Sequence, residues 1–119
     1  MKFHSYFIYI TTNAARTVLY TGVTNNLKQR IIEHYLNRGK PKTFTGRYYC
    51  YLLIYFEWFQ YIDKAMSREK QIKGWTRKKK EELIESTNPN WKVLNYEIFD
   101  EWPPKNGKSR KRYECCFPL

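Results

Sequence analysis

The chain has few acidic residues and no long apolar stretch. Its 119 residues include 11 Asp and Glu against 22 Lys and Arg, which gives a formal net charge of +11. This shortage of negative charge creates a positive field that attracts polyanions, so nucleic acid is the first partner to consider. No apolar run approaches the roughly 20 residues that cross a bilayer, and we therefore expect no membrane insertion.

Cysteine is also scarce, with three in the chain. Cys50 stands alone in an apolar run, which is typical of a buried free thiol. Cys115 and Cys116 have neither a second cysteine pair nor a nearby His, so the sequence predicts no structural zinc site. The apolar stretch Tyr6 to Ile10 is too short for a signal peptide. We therefore expect a soluble, cytoplasmic protein with reduced thiols.

The first third of the chain predicts a hairpin and a helix. Ser5 to Thr11 and Thr17 to Val23 are rich in β-branched and aromatic residues, which favours two antiparallel strands joined by a turn. Helical spacing follows at Leu27, Ile31, His34 and Tyr35. This helix of about 12 residues is expected to end at Gly39.

The next part of the chain predicts a third strand and two helices. Residues 40–48 have the composition of a loop, and Tyr49 to Phe56 is so apolar that we expect a strand in a central or well-covered position. The period becomes helical from Ile62 to Lys73, and Gly74 ends this helix. Thr76 can cap a further helix that stops at Asn88-Pro89. The order indicates an α+β fold.

Three polar side chains fall on or beside apolar helix faces. At about 100° per residue, His34 lies on the inner face of the first helix and Arg30 lies at its edge. Glu69 falls in the apolar stripe of the next helix, formed by Ala65, Met66 and Ile72. An unpaired carboxylate there costs about a few kcal/mol. An ion pair between Arg30 and Glu69 is one interpretation, and a catalytic site is the other.

The order of these residues resembles the GIY-YIG nuclease domain, through Phe7-Ile8-Tyr9, Tyr20-Thr21-Gly22, Arg30 and Glu69. The stretches VLYTGVTNNLKQRIIEH, REKQIKGW and NPNW are similar to its small stand-alone bacterial members, related to the nuclease module of the excision-repair C subunit. The likeness covers roughly residues 4–95. It implies a small three-stranded antiparallel sheet flanked by helices, a nuclease domain over residues 1–102, a basic tail over 103–119 and a connection to DNA repair.

The resemblance implies metal-dependent cleavage of a nucleic-acid phosphodiester. By position, the catalytic set comprises two motif tyrosines, a phosphate-binding arginine, a supporting histidine and a metal-binding glutamate: Tyr9, Tyr20, Arg30, His34 and Glu69. Tyr20 is the expected general base, with Tyr9 and His34 orienting it or the attacking water. One carboxylate suits a single Mg²⁺ or Mn²⁺ ion, which keeps much of its water.

The predicted nucleic-acid contacts are less closely tied to the motifs. Val23 stands where repair-type members carry a Lys, so we expect Lys28 or Lys73 to supply that charge. Residues 64–80 contain eight basic side chains and one acid, which predicts a surface that follows backbone phosphates. The expected contacts are Gly22, Lys28, Lys70, Lys73, Arg77 and Lys78.

No element has the character of a base-reading recognition helix, so we expect weak sequence preference. Single-stranded or structurally irregular DNA is the expected substrate, and RNA stays open. The alternative is a non-catalytic nucleic-acid-binding module with the same fold. A protein that binds anionic membranes is a third interpretation, but the chain lacks the amphipathic segment that this needs. The sequence leaves the oligomeric state open.

Overall fold

The computed structural model describes residues 4–104, which form one antiparallel sheet with helices on both sides. The strands are β1 (Tyr6–Thr12), β2 (Leu19–Thr24) and β3 (Leu52–Phe59), in the spatial order β2-β1-β3. The helices are α1 (Leu27–Leu36), α2 (Phe44–Arg47), α3 (Ile62–Lys73), α4 (Arg77–Thr87) and α5 (Asn95–Ile98). This architecture confirms the predicted α+β class. Among residues 4–104, none of the helices has the length and apolar character to cross a membrane.

The third strand lies at an edge of the sheet, and β1 is central. Of the two alternatives that the sequence left open, a central or a well-covered strand, the structure has the second. The chain after α4 covers its edge, because the Leu94 backbone N–H donates to the Leu53 carbonyl at 2.7 Å and the Asn95 side chain accepts from the Leu53 N–H at 2.7 Å. Asn88 donates from its side chain to the Ile54 carbonyl at 2.9 Å. A covered edge strand can be as apolar as a central one.

Alternation along β1 divides the core between the two faces of the sheet. We call them the α1 face and the α3 face. The α1 face contains Phe7, Tyr9, Leu27, Ile31, Ile32, Leu53 and Phe99. The α3 face contains Ile8, Ile10, Ile54, Tyr55, Ala65, Ile72 and Ile84. Strand β1 thus sends side chains into both cores.

Some helix boundaries agree with those predicted from local sequence signals, and others do not. Helix α3 has the predicted bounds, and the Thr76 side chain caps α4 by accepting from the Lys79 N–H at 3.3 Å. Helix α1 ends at Leu36 rather than Gly39, with Asn37 as its cap. The predicted loop 40–48 contains α2, which Thr43 caps through the Gly46 N–H at 3.0 Å.

Two further predictions concern the buried stripe of α3 and the C-terminal boundary of the domain. Met66 is 54% exposed, so its assignment to the buried stripe of α3 is wrong. The ordered core extends to Trp102, which packs against Tyr35 and Tyr51, and Pro104 is buried as well. Most of the predicted basic tail, with Cys115 and Cys116, lies outside the described residues. The domain boundary at 102 stays a prediction.

Candidate active site

Tyr9 is fully buried at the centre of the α1 face, where Gly22 provides the space for its ring. The two residues are opposite each other on β1 and β2. A Cβ atom on residue 22 would lie 2.5 Å from the Tyr9 hydroxyl oxygen, so a larger residue would collide with the phenol. Gly22 therefore provides space for the Tyr9 ring, and its predicted contact with nucleic acid stays a prediction.

A chain of hydrogen bonds leads from Arg30 through Tyr9 to His34 and α2. Arg30 Nε donates to Tyr9 Oη at 3.4 Å, and Tyr9 Oη lies 2.9 Å from His34 Nε2. On its other side, His34 Nδ1 lies 3.1 Å from Thr45 Oγ1. Since Tyr9 accepts from Arg30, its one proton is available for Nε2. This assigns the ring proton of His34 to Nδ1, which donates to Thr45.

Burial keeps the two inner groups neutral. Desolvation raises the pKa of Tyr9 well above its ordinary value, and the hydrogen bond from Arg30 offsets only part of this effect. Burial and the positive charge of Arg30 lower the pKa of His34 to about 4. Neither group carries charge at neutral pH. Tyr9 and His34 are therefore suited to holding their neighbours in place rather than to accepting a proton from water.

Tyr20, the other motif tyrosine, is only partly buried. Its ring centroid lies 6.2 Å from that of Tyr9 and 5.7 Å from that of His34. On its other side, its ring stacks on Phe44 at 5.9 Å. The structure thus gives the two tyrosines different environments, and Tyr20 is the phenol that solvent can reach.

Arg30 lies at the outer end of the hydrogen-bond chain, with its side chain 42% exposed. Burial alone would lower the pKa of Arg30, but its hydrogen bonds with Tyr9 and Glu33 raise that pKa overall. Its ionic partner is Glu33, with Arg30 Nη1 3.0 Å from Glu33 Oε1. The interpretation of Arg30 and Glu69 as an ion pair is therefore wrong, because each has a partner on its own helix, Glu33 for Arg30 and Lys73 for Glu69.

Glu69 pairs with Lys73, one turn further along α3, with Lys73 Nζ 3.0 Å from Glu69 Oε2. The Glu69 side chain is 19% exposed and that of Lys73 is 50% exposed. Lys73 Nζ also lies 6.0 Å from the centre of the Tyr20 ring. The Glu69 carboxylate, the Lys73 ammonium group and the Tyr20 ring are therefore neighbours. Burial is the main cause of the raised pKa of Tyr9, and the negative charge of Glu69 adds a minor contribution in the same direction.

The donor set at Glu69 fits one kind of metal ion. Within residues 4–104, no three His, Cys, Asp or Glu side chains cluster closely enough to hold an ion. A zinc site with several protein ligands is therefore a poor fit. A single hard carboxylate fits Mg²⁺ or Mn²⁺ when water and a substrate phosphate fill the other positions.

The predicted nucleic-acid contacts lie in different environments. Lys70, Lys73 and Lys78 are exposed on α3 and α4. Lys28 is buried, with 6% of its surface exposed, which corrects the expectation that it contacts phosphate. Arg77 donates to the carbonyl of Thr17 at 2.7 Å and to that of the residue before it at 3.0 Å. It therefore fastens α4 to the turn between β1 and β2, and its contact with phosphate stays a prediction.

Three residues of the site were absent from the sequence prediction: Glu33, Phe44 and Thr45. Thr45 contacts His34, and Phe44 contacts Tyr20. The spacing of Thr43 and Gly46 is a local capping signal that could have indicated α2. The contacts that join α2 to the site are long-range, and the local sequence does not specify them.

Comparison with known proteins agrees with this geometry. A family model described as the GIY-YIG catalytic domain matches residues 5–82. The chain belongs to the GIY-YIG family.

Relatives named UPF0213 protein match much of the chain. That of Bacillus pumilus is 38% identical over 85 residues, which cover 71% of this chain and 84% of the relative. That of Clostridium perfringens is 44% identical over 79 residues, covering 66% and 81% of the two chains. The solution NMR structure of a UPF0213 protein from Bacillus halodurans is 28% identical, covers 73% of this chain and 89% of that one, and has a TM-score of 0.47.

Proposed function

We propose that this protein is a metal-dependent endonuclease that hydrolyses phosphodiester bonds of single-stranded or structured DNA, with Tyr20 as general base. One observation carries the proposal. The Tyr20 ring lies 6.0 Å from Lys73 Nζ, the ammonium group paired with Glu69, and 6.2 Å from the ring of Tyr9, whose hydroxyl accepts from Arg30, in a chain of the GIY-YIG family. A module that only binds nucleic acid has no evident need for a shielded carboxylate beside this tyrosine.

Arg30 binds the phosphate that is to be cleaved. Tyr9 fixes its Nε and Glu33 fixes its Nη1, so the plane of the guanidinium is set before substrate arrives. The planar donor fork matches two phosphate oxygens and stabilises the extra negative charge of the transition state. Tyr9 and His34 contribute by position, because they link this plane to the core of the α1 face.

Tyr20 takes the proton of the attacking water. With Tyr20 as the phenolate, its own proton having passed to solvent, the water oxygen forms the new bond to phosphorus as the water proton passes to Tyr20 Oη. The bond from phosphorus to the 3′ oxygen breaks, and the 3′ oxygen takes a proton from solvent. A divalent ion held by Glu69 would supply Lewis-acid stabilisation of the phosphoryl and departing oxygens.

Lys73 replaces the lysine that repair-type members carry at the position of Val23. It is the one of the two expected candidates that is exposed, since Lys28 is buried. Lys70 and Lys78 extend the positive surface along α3 and α4, and Lys79 lies over the Trp75 ring at 4.4 Å. Affinity for DNA should therefore fall steeply with added salt.

Cleavage of labelled DNA tests the proposal. Single-stranded, duplex and branched DNA are incubated with Mg²⁺, Mn²⁺ or EDTA, using the wild type, Glu69→Gln and the control Glu82→Gln on the exposed side of α4. We expect metal-dependent cutting by the wild type and the control, with strong preference for one substrate, and none by Glu69→Gln. Matched RNA substrates show whether the enzyme distinguishes the sugar.

Two results would contradict the proposal. Cutting by Glu69→Gln at the wild-type rate would remove Glu69 from the site. Tight, salt-sensitive binding without cutting in either metal would favour the non-catalytic binding module instead.

A further inference from the structure

The segment around α2 presents large aromatic side chains to solvent beside the candidate active site. Phe44 is 47% exposed and Tyr48 is 40% exposed. Their ring centroids are 4.8 Å apart, and the inner side of Phe44 stacks on Tyr20 with an interplanar angle of 29°. We call these two rings the α2 platform. Together with the ring of Tyr20, the proposed general base, they form a row of adjacent aromatic rings that ends at the exposed Tyr48.

The α2 platform is held in place by bonds on several sides. Thr45 contacts His34 at 3.1 Å, the Cys50 N–H donates to the Thr45 carbonyl at 2.9 Å, and the Gly39 N–H donates to the Gly46 carbonyl at 2.8 Å. A Cβ atom at Gly46 would lie 2.5 Å from the carbonyl oxygen of Lys40, so the turn packs tightly at this point. The exposed rings thus stand on a support that is tied to the hydrogen-bond chain of the site.

The charge around the α2 platform matches a polyanion. Residues 38–56 contain four basic side chains and no acidic one, and all four basic side chains are exposed: Arg38, Lys40, Lys42 and Arg47. Exposed rings beside positive charge are typical of surfaces on which unpaired bases stack while cations hold the backbone. A base pair inside a duplex does not offer a free face to such a ring.

We propose that the α2 platform is a base-stacking subsite, on which Phe44 holds one unpaired base of the substrate strand next to the phosphate that Tyr20 and Arg30 address. This inference rests on the proposed function for the position of that phosphate. It makes Phe44 a specificity-determining residue, since it selects strands that have an unpaired base beside the cleaved bond.

Binding measurements in EDTA test the subsite without requiring cleavage. The probes are labelled oligodeoxythymidine, an abasic strand of the same length and charge, and a duplex of the same length. The variants are Phe44→Leu, which keeps an apolar side chain but removes the ring face, and Phe44→Trp, which keeps a ring. The control is Tyr96→Leu, because Tyr96 is 65% exposed on α5.

We expect Phe44→Leu to bind oligodeoxythymidine about tenfold more weakly than the wild type, which is the scale of one aromatic stacking contact. Its affinity for the abasic strand should not change, and Phe44→Trp and Tyr96→Leu should bind like the wild type. The salt dependence should be equal for all variants, since no charge is altered.

Equal affinity of Phe44→Leu and the wild type for oligodeoxythymidine would overturn the subsite, as would equal weakening toward the abasic strand. Either result is compatible with DNA cleavage by the wild type. Conversely, selective loss of stacking in a protein that cuts nothing would keep the subsite and reject the endonuclease. The two proposals can therefore fail separately.

Discussion

Glu57 and Glu69 are almost equally shielded from solvent, at 20% and 19% side-chain exposure, yet their partners differ. Arg68 donates to both carboxylate oxygens of Glu57 from two nitrogens, and the Tyr55 hydroxyl donates to the same carboxylate. Glu69 has an ion pair with Lys73, whose side chain is half exposed. A carboxylate enclosed by several donors stabilises the fold, whereas one paired with a single, half-exposed lysine can accept another cation.

The same contrast applies to the arginines and tyrosines of the two regions. Arg68 has its pKa raised by its bonds to Glu57, and burial raises the pKa of Tyr55. Arg68 and Tyr55 belong to one cluster with Glu57, in which the positive and negative charges are paired with each other. In the candidate site, Arg30 and Tyr20 keep accessible surface while Tyr9 and His34 are enclosed behind them. We call the first group the closed cluster and the second the open site.

The largest expected effect is on the open site. Arg30→Lys keeps the charge but removes the planar fork, so cleavage should fall about 100-fold to 1,000-fold under single-turnover conditions, as for the loss of one preorganised donor in a transition state. Stability should change by less than about 1 kcal/mol, because the ion pair with Glu33 is near the surface. The control is Arg38→Lys on the exposed surface, and equal rates for both variants would contradict the role of Arg30.

The closed cluster should respond in the opposite way. Glu57→Gln leaves the Arg68 guanidinium with a weaker acceptor, so the free energy of unfolding should fall by about 2 kcal/mol, while the folded protein cleaves normally. Urea denaturation of Glu57→Gln and Glu69→Gln measures the contrast, and Glu69→Gln should lose less than about 1 kcal/mol. Equal destabilisation by the two substitutions would remove the distinction between the regions.

The lowered pKa of His34 should make the stability of the protein depend on pH. Its pKa of about 4 in the folded protein lies below the ordinary value near 6.5. Between these values the unfolded chain binds a proton that the folded protein does not, so the His34 contribution to stability is complete above about pH 6.5 and is lost as the pH falls toward 4.

Comparison with His34→Gln isolates this contribution, because glutamine does not titrate. From pH 7 to pH 4 the wild type should lose about 3 kcal/mol more unfolding free energy than the variant, measured by urea denaturation at each pH. Parallel losses in the two proteins would show that the imidazole is readily protonated in the folded state.

Sequence alone predicted the elements whose signals are local. Helix α3 was correct because its apolar period and the glycine that follows it lie in one short stretch. Helix α2 was missed because it has only four residues in a stretch whose composition is that of a loop, although the Thr43 cap is a local signal for it. The position of β3 was ambiguous because a covered edge and a central strand bury the same side chains.

The candidate site, too, could be predicted from the sequence only in part. The resemblance to the family implied that Tyr9, Tyr20, Arg30 and His34 share one site, and the structure has them near one another. It did not distinguish the buried tyrosine from the accessible one, because that difference depends on the opposing Gly22 and on the packing of α1. Of the two interpretations of Glu69, the ion pair with Arg30 is wrong, since Lys73, one helical turn along α3, lies within ion-pair distance of the carboxylate.

The most direct measurement of the central claim compares Tyr20→Phe with Tyr9→Phe in single-turnover cleavage of the preferred DNA, together with the unfolding free energy of both. Each substitution removes one hydroxyl oxygen. We predict that Tyr20→Phe abolishes cleavage and leaves stability unchanged, whereas Tyr9→Phe retains measurable cleavage and loses about 1 kcal/mol of stability through its buried hydrogen bonds. Wild-type cleavage by Tyr20→Phe would contradict the assignment of the accessible phenol as the general base.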